Sequence, residues 1–402
     1  MSLTVLFDLD DTLLENDIQP FIQRYFELLA NTLAESISPQ QFLQAMQHAV
    51  YAMLQKQMPA GTLENTFDQV FYPALGVSKQ SLKEKIDDFY RTKFPLLKEL
   101  TRPRSTAIRL IECAFERGWQ VVIATNPLFP RTAIELRLAW AGLPVDQYPY
   151  SLVTTYENSH FCKPHPAYFA EILAVLRWPQ MPAAMVGNSW EDDILPAEKL
   201  GLPTFFLSEQ NQPENSASRN PLSKTGALED VLAWLDTIAQ QDGVPSYDGI
   251  AAILATLQST PAALETFSSA FPEELWNQRP EPKEWCFTEI LCHLRDVDRE
   301  VNQERIEMVL KENRPFLPAA MTDGWVEARN CIFENGRTAL DGFISARSEI
   351  LQKLINLNEK DWQRPARHAI FGPTTLKELV GFVATHDRIH INQAWQTIQA
   401  LT

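Results

Sequence analysis

The residues best suited to chemistry fall in two clusters, one of carboxylates and one of imidazoles. The first begins with Phe7-Asp8-Leu9-Asp10-Asp11-Thr12, directly after the apolar run Leu3–Phe7. Side chains at i and i+2 of a strand share a face, and where the strand has just ended Asp8 and Asp10 can converge on one point beyond it. Two carboxylates so placed suit a nucleophile and a general acid/base, with a shared cation offsetting their repulsion. Taken alone, an Asp-rich turn after a strand is more often a helix cap. The ends of the other apolar runs argue for chemistry instead. Thr125-Asn126 closes the run Val121–Ala124 and offers a hydroxyl and backbone N–H groups to an oxyanion. Lys163-Pro164 precedes a helical stretch, Ala167–Val175, and can supply a fixed positive charge. Gly187-Asn188-Ser189-Trp190-Glu191-Asp192-Asp193 follows Ala183–Val186 with oxygen ligands suited to Mg²⁺.

The second cluster is C-terminal. His386 and His390 stand four apart in a helical pattern, one turn apart on one face. His293 lies in Glu289-Ile290-Leu291-Cys292-His293-Leu294-Arg295-Asp296, on another long helix. Facing helices of a bundle can bring three imidazoles together, and three neutral nitrogens bind Zn²⁺, Ni²⁺ or Fe²⁺ while leaving coordination positions open. An i, i+4 pair by itself reads equally well as a solvated face. Asp296 and Asp298 are expected to be solvated rather than to orient a histidine. Cys292 is expected to pack on a different helix face, and His368 to lie in a loop.

Positioning these groups requires two kinds of architecture. Within a first domain expected over residues 1–239, the first 207 alternate short apolar runs (those above and Thr204–Leu207) with amphipathic stretches such as Ser105–Arg117 and Arg131–Ala141, which end at Gly118 and Gly142. This alternation predicts a parallel sheet with helices on both faces and ligand chemistry at the strands' carboxyl ends. Between the first two strands, residues from Asp17 to about Leu100 are helical in pattern, an insertion expected to sit over the strand ends. Residues 208–225 read as structureless, Ala227–Ala239 as a last helix and Gln240–Ser246 as a Gly/Pro-containing linker. From residue 247 onward the pattern is long helices without strands: Asp248–Phe271, Phe287–Lys311, Asn335–Asn356 and Thr375–Leu401. Four such helices predict an antiparallel bundle.

Composition narrows the partners. The 402 residues include 35 basic and 51 acidic side chains, a net charge of −16, which disfavours nucleic acid and anionic membrane surfaces. The apolar runs are strand-sized, far short of the ~20 residues that span a bilayer. Met1 to Phe7 lacks the basic region of a secretory signal, and five scattered cysteines without C-x-x-C spacing read as reduced thiols, so a cytoplasmic setting is expected.

With four motifs falling in order at predicted strand ends, the first 238 residues resemble the haloacid dehalogenase (HAD) superfamily of hydrolases. The resemblance implies a helical cap that sets specificity for a small phosphorylated substrate. It further implies Asp8 as a nucleophile forming an aspartyl-phosphate, and Asp10 as the acid that protonates the leaving alkoxide and then activates water. Thr125 and Lys163 would hold phosphoryl oxygens. Asp8, the Asp10 carbonyl and Asn188 would ligate Mg²⁺, with Asp193, beside Asp192, anchoring metal waters and Lys163. Asn188 departs from the family's usual Asp and brings no charge to the cation. Members that remove halide lack an acid two residues past the nucleophile, so Asp10 favours a phosphatase. His48, His160 and His165 are expected to be surface or capping residues. In the second half, Trp285-Cys286-Phe287-Thr288-Glu289, His293, and His386-Asp387-Arg388-Ile389-His390 with Gln393 resemble the DinB-like (YfiT-type) metal-binding bundles over about residues 247–402. That resemblance implies His293, His386 and His390 as ligands of a second divalent metal, Zn²⁺ or Ni²⁺. It leaves open a thiol-transferase-like activity, or a metal-stabilised interaction module that could join two copies of the chain.

Overall fold

The computed structural model describes residues 2–208, 220–240 and 245–402. Two compact units form: Met1–Lys56 with Gly61–Phe169 and Pro179–Ser246, and Gln57–Ala60 with Ala170–Trp178 and Tyr247–Thr402. The expected linker falls largely on residues 241–244, outside the described residues.

The first unit is built on a six-stranded parallel sheet of order β5-β4-β1-β6-β7-β8. Its strands are β1 (Thr4–Phe7), β4 (Gln120–Ile123), β5 (Leu152–Val153), β6 (Ala183–Gly187), β7 (Thr204–Leu207) and β8 (Lys224–Gly226). Strand β1 is central and fully buried, pairing Phe7 with Ile123 on one side and with Val186 on the other. The chain moves outward from β1 in both directions, so the carboxyl ends of β1, β4 and β6 meet where the strand order reverses, the usual ligand position in such sheets. Of the stretch 208–225 expected to be structureless, residues 209–219 lie outside the described residues, and its end overlaps the edge strand β8. Lys224-Thr225-Gly226 has no apolar alternation, and its order comes from pairing with Phe205–Leu207. Helices α5 (Ser105–Glu116), α6 (Arg131–Trp140), α8 (Leu195–Lys199) and α9 (Val231–Ala239) complete the layer, with α5 against β4 and α9 against β6, while α7 (Pro166–Val175) begins in this unit and from Ala170 belongs to the second.

The helical insertion emerges from an antiparallel pair, β2 (Leu14–Asn16) and β3 (Thr101–Pro103), with Asn16 opposite Thr101. Between them run α1 (Ile18–Leu33), α2 (Pro39–Leu54), α3 (Leu63–Leu75) and α4 (Lys79–Thr92), followed by a 3₁₀ segment, Phe94–Leu100. Each helix starts where a side chain can cap it. Asp17 accepts from Gln19 N–H, and Ser38 caps α2 ahead of Pro39. Thr62 and Asn65 form a capping box, and Ser78 caps α4. Their apolar faces join one core with the sheet, through residues such as Phe21, Phe42, Phe71 and Phe89.

The second unit contains the expected helices as α10 (Ile250–Ala270), α11 (Phe287–Val297), α12 (Gln303–Lys311), α14 (Gly336–Leu354) and α16 (Leu376–Leu401). A single wide turn, Asp298–Asn302, joins α11 to α12; the short helices α13 (Trp325–Ala328) and α15 (Glu359–Trp362) lie in the connections. Along α16, buried Leu376, Leu379, Val380, Val383, Ala384, Asp387, His390, Ile391 and Ala394 recur at spacings of three and four, the stripe a helix presents to a bundle core. A Cβ on Gly336 would lie 2.5 Å from the Trp276 ring, so only glycine lets α14 begin there. The expectation of helices without strands is corrected by a small sheet of order β11-β10-β9: β9 (Phe316–Leu317), β10 (Pro365–His368) and β11 (Gly372–Thr375). His368 is therefore a buried strand residue, not a loop residue. The strands are two to four residues long and carry Pro365 and Pro373, too short to show a period.

Candidate active site and metal centre

In the first unit the chain turns sharply after β1. Leu13 and Leu14 N–H groups return to the Leu9 carbonyl, and Asp11 takes a left-handed φ of 57°. This turn projects Asp8 and Asp10 beyond the sheet, as their spacing predicts. Lys163 Nζ donates to Asp8 Oδ1 at 2.7 Å and to Asp193 Oδ1 at 2.5 Å, all three side chains being buried. Asp193 Oδ2 accepts from Ser189 N–H at 3.0 Å, and a Cβ at residue 187 would sit 2.3 Å from that oxygen, which requires Gly187. Burial pushes the Asp8 carboxyl up to about 7, while the Lys163 ammonium pulls it down. Burial also opposes the charge on Lys163, but Asp193 and Asp8 raise it well above its ordinary range, so it is a fixed cation. Thr125 is buried at the end of β4, its carbonyl accepting from Thr154 Oγ1 (2.7 Å) and the Tyr168 hydroxyl (2.8 Å).

One end of the Asn188 amide lies 3.2 Å from the Asp10 carbonyl oxygen, 3.3 Å from Asp8 Oδ2 and 3.1 Å from Thr12 Oγ1. Turned with NH₂ toward them, the amide donates to these oxygens. Turned with its oxygen inward, it completes a face of three oxygens suited to a hard cation. Such a cation fits the local balance as well, because Lys163 is shared between two buried carboxylates.

Asp10 has partners that its motif does not announce. Asn16 Nδ2 donates to its Oδ1 at 2.8 Å, and Arg137 of α6, only 1% exposed, donates to its Oδ2. The Arg137 guanidinium lies 4.7 Å from the Phe129 ring centre. Its Nε and Nη2 have no hydrogen-bond partner among the described residues. The sequence signal for Arg137 is a charged residue on the buried face of α6 beside Ala133, Ile134 and Leu138. His165 caps, accepting from Ala167 N–H at 3.1 Å, and His48 is exposed on α2. His160 is fully buried, which corrects the surface alternative of its expected surface-or-capping role.

In the second unit, His293 of α11 meets His386 and His390 of α16. The Nε2 atoms of His293 and His390 each lie 3.0 Å from His386 Nε2. His390 Nδ1 is 2.7 Å from Gln393 Oε1. An amide oxygen only accepts, so Nδ1 carries the proton and Nε2 presents its lone pair to the shared centre, the tautomer a metal ligand needs. Burial, with the neighbouring imidazoles, pushes His293 and His386 down to about 3, and burial lowers His390, so all three are neutral at physiological pH. The Trp285 ring stands over His293 and His390, at centroid distances of 4.9 and 6.1 Å.

Residues 3–201 match the family of haloacid dehalogenase-like hydrolases, and residues 256–394 match the DinB superfamily. The chain joins a haloacid dehalogenase-like domain to a DinB-like domain. Uncharacterized protein YuaE of Bacillus subtilis is 25% identical over 145 residues, covering 33% of this chain and 90% of that protein. Among solved structures, a HAD phosphatase from Thermococcus onnurineus is 18% identical and covers 59% of this chain and 99% of its own, with a TM-score of 0.38. YfiT from Bacillus subtilis, a four-helix bundle of unusual topology, is 15% identical and covers 48% and 94%, with a TM-score of 0.34.

Two expectations within the DinB-like domain are corrected. Asp298 is not solvated but buried against Arg347, whose Nε donates to it at 2.8 Å; Arg347 also binds Asp387. Asp296 is likewise buried, between Arg295 (2.7 Å) and Arg329 (2.8 Å). A charge can lie in a core only with its partner; Arg295 is the chain neighbour of Asp296, whereas Arg329 and Arg347 come from distant stretches of chain. Cys292 faces away from the three imidazoles, packed near Cys331 and Glu334. No helix among the described residues is long and apolar enough to cross a membrane.

Proposed function

We propose that the first domain hydrolyses a phosphate monoester with Mg²⁺, and that the second holds a transition metal, Zn²⁺ or Ni²⁺, on His293, His386 and His390. The observation that carries the first reading is the meeting of Asp8, Lys163 and Asp193, with Asn188 against Asp8 and the Asp10 carbonyl and Thr125 at the end of the adjacent strand β4. An Asp8 carboxylate oxygen attacks phosphorus, and the P–O bond to the alcohol breaks with its electron pair going to the leaving oxygen. Asp10 gives that oxygen a proton. It then takes a proton from water, whose oxygen attacks phosphorus and breaks the bond to Asp8, releasing phosphate. Lys163 and the Thr125 hydroxyl stabilise charge on the phosphoryl oxygens. Mg²⁺ on Asp8, the Asp10 carbonyl and Asn188, its waters anchored by Asp193, would neutralise phosphoryl charge and keep Asp8 ionised. Arg137 and Asn16 position Asp10 through its two oxygens.

Mg²⁺-dependent release of p-nitrophenol from p-nitrophenyl phosphate tests the reaction; no release at any Mg²⁺ concentration would sink it. Asn188→Asp tests the metal ligands. A carboxylate in place of the amide adds charge beside the cation, and the half-saturating Mg²⁺ concentration should fall several-fold, toward the tenfold that ~1.4 kcal/mol represents. An unchanged or higher requirement would remove Asn188 from the ligand set.

Zn²⁺ or Ni²⁺ at about 100 times its Kd should stabilise the second domain by about 2.7 kcal/mol, because it binds the folded state alone. Replacing His390 with Ala should remove that gain in melting temperature while leaving phosphate-ester hydrolysis intact. Identical responses of wild type and variant to added metal would mean that the three histidines are not a site.

A further inference from the structure

The helical insertion contains a cavity of about 290 Å³, lined by sixteen residues of α1–α4, the segment Leu128–Pro130 and Tyr156, none of them acidic, basic or histidine. Its walls include Ile22, Val50 and Phe67, and the polar side chains among its lining residues are tyrosines. Two of these, Tyr25 and Tyr90, bond to each other at 2.9 Å. The cavity is partly open to solvent, and its volume would hold more than benzene, for which about 150 Å³ suffices. It also adjoins the reaction site. Leu128 lies three residues past Thr125, within ~11 Å of it even in fully extended chain, and Phe129 both lines the cavity and carries the Arg137 guanidinium that holds Asp10.

We propose that this cavity receives the alcohol half of the ester, so that the substrate class is monophosphates of uncharged, apolar alcohols or phenols of one to two rings' bulk. The inference rests on the phosphatase reading and adds what that reading leaves open. A carboxylated or polyhydroxylated leaving group would lose hydration here and find no cation and few hydrogen bonds in return. An apolar one gains from each methylene buried.

The test uses the intact chain with Mg²⁺ and a graded series: acetyl phosphate, whose leaving group is too small to use the cavity, then propyl, butyl, pentyl, phenyl and 2-naphthyl phosphates, with glycerol 1-phosphate and 2-phosphoglycolate as polar counterparts. The value of kcat/KM should rise about fourfold per added methylene and stay at least tenfold lower for the polar esters. Val50→Trp, filling the cavity, should flatten the series; Ile22→Phe is a milder filling should the first variant fail to fold. Independently of turnover, 2-naphthol should raise the melting temperature of the wild type and not of the filled variant. Hydrolysis of acetyl phosphate with a flat alkyl series, a preference for the polar esters, or no stabilisation by 2-naphthol overturns this proposal and leaves the phosphatase reading standing. Hydrolysis of none of these compounds overturns both.

Discussion

Asp8→Asn is expected to reduce phosphate-ester turnover by roughly ten-thousandfold or more, the scale seen when a nucleophile is removed from a concerted group, with the fold intact. No other side chain in the cluster can take its place. Asp10 is held by Asn16 and Arg137, and Asp193 is turned into the hydrogen bonds from Lys163 and Ser189 N–H. The fold should tolerate the change because burial already penalises the Asp8 charge, and Lys163 keeps Asp193 as its partner. Phosphate release with p-nitrophenyl phosphate, alongside a circular dichroism melt, checks both halves of the expectation. Activity within tenfold of wild type in a folded variant would show that Asp8 does not accept the phosphoryl group.

The second large effect is on stability. Arg347 is fully buried and donates to Asp298 (2.8 Å), to Asp387 (3.0 Å) and to the Leu257 carbonyl (3.1 Å), tying together α10, α14, α16 and the turn after α11. Arg347→Met keeps much of the volume but leaves two buried carboxylates facing each other, with Asn302 donating to Asp298 as a remaining partner. Removing one partner of a buried pair costs about 3–5 kcal/mol, a large share of the 5–15 kcal/mol typical of a domain. Urea unfolding of the intact chain should show the transition of the helical domain moving to markedly lower denaturant. Arg347→Lys should recover only part of the loss, since an ammonium cannot bridge both carboxylates as a planar fork does. A loss below about 1 kcal/mol for Arg347→Met would mean that the carboxylates reach solvent or protonate without cost. Asp387 adjoins His386, so the same variant should also weaken metal-induced stabilisation.

The sequence by itself determined whatever rests on local energetics. Short apolar runs ending in polar residues located β1, β4 and β6, and with them Asp8, Thr125 and Asn188. The extent of the insertion was legible from its helical pattern, and its helices carry their own caps, Asp17, Ser38, Thr62 and Ser78. The i, i+4 spacing of His386 and His390 follows from helix geometry alone, and His293 needed only a facing helix. What the tertiary structure decided involves groups far apart in the chain. Arg137 reaches Asp10 across 127 residues and Arg347 reaches Asp298 across 49; the sequence shows only a charge on a buried stripe, not which partner satisfies it. Asp296 and Asp298 read as solvated for the same reason, since desolvating a carboxylate is affordable only where a guanidinium arrives from elsewhere. The edge strand β8 and the strands β9–β11 are too short to carry a period, and pairing alone orders them. The cavity among α1–α4 is likewise a property of packing, because it depends on how four amphipathic faces fail to fill the space between them.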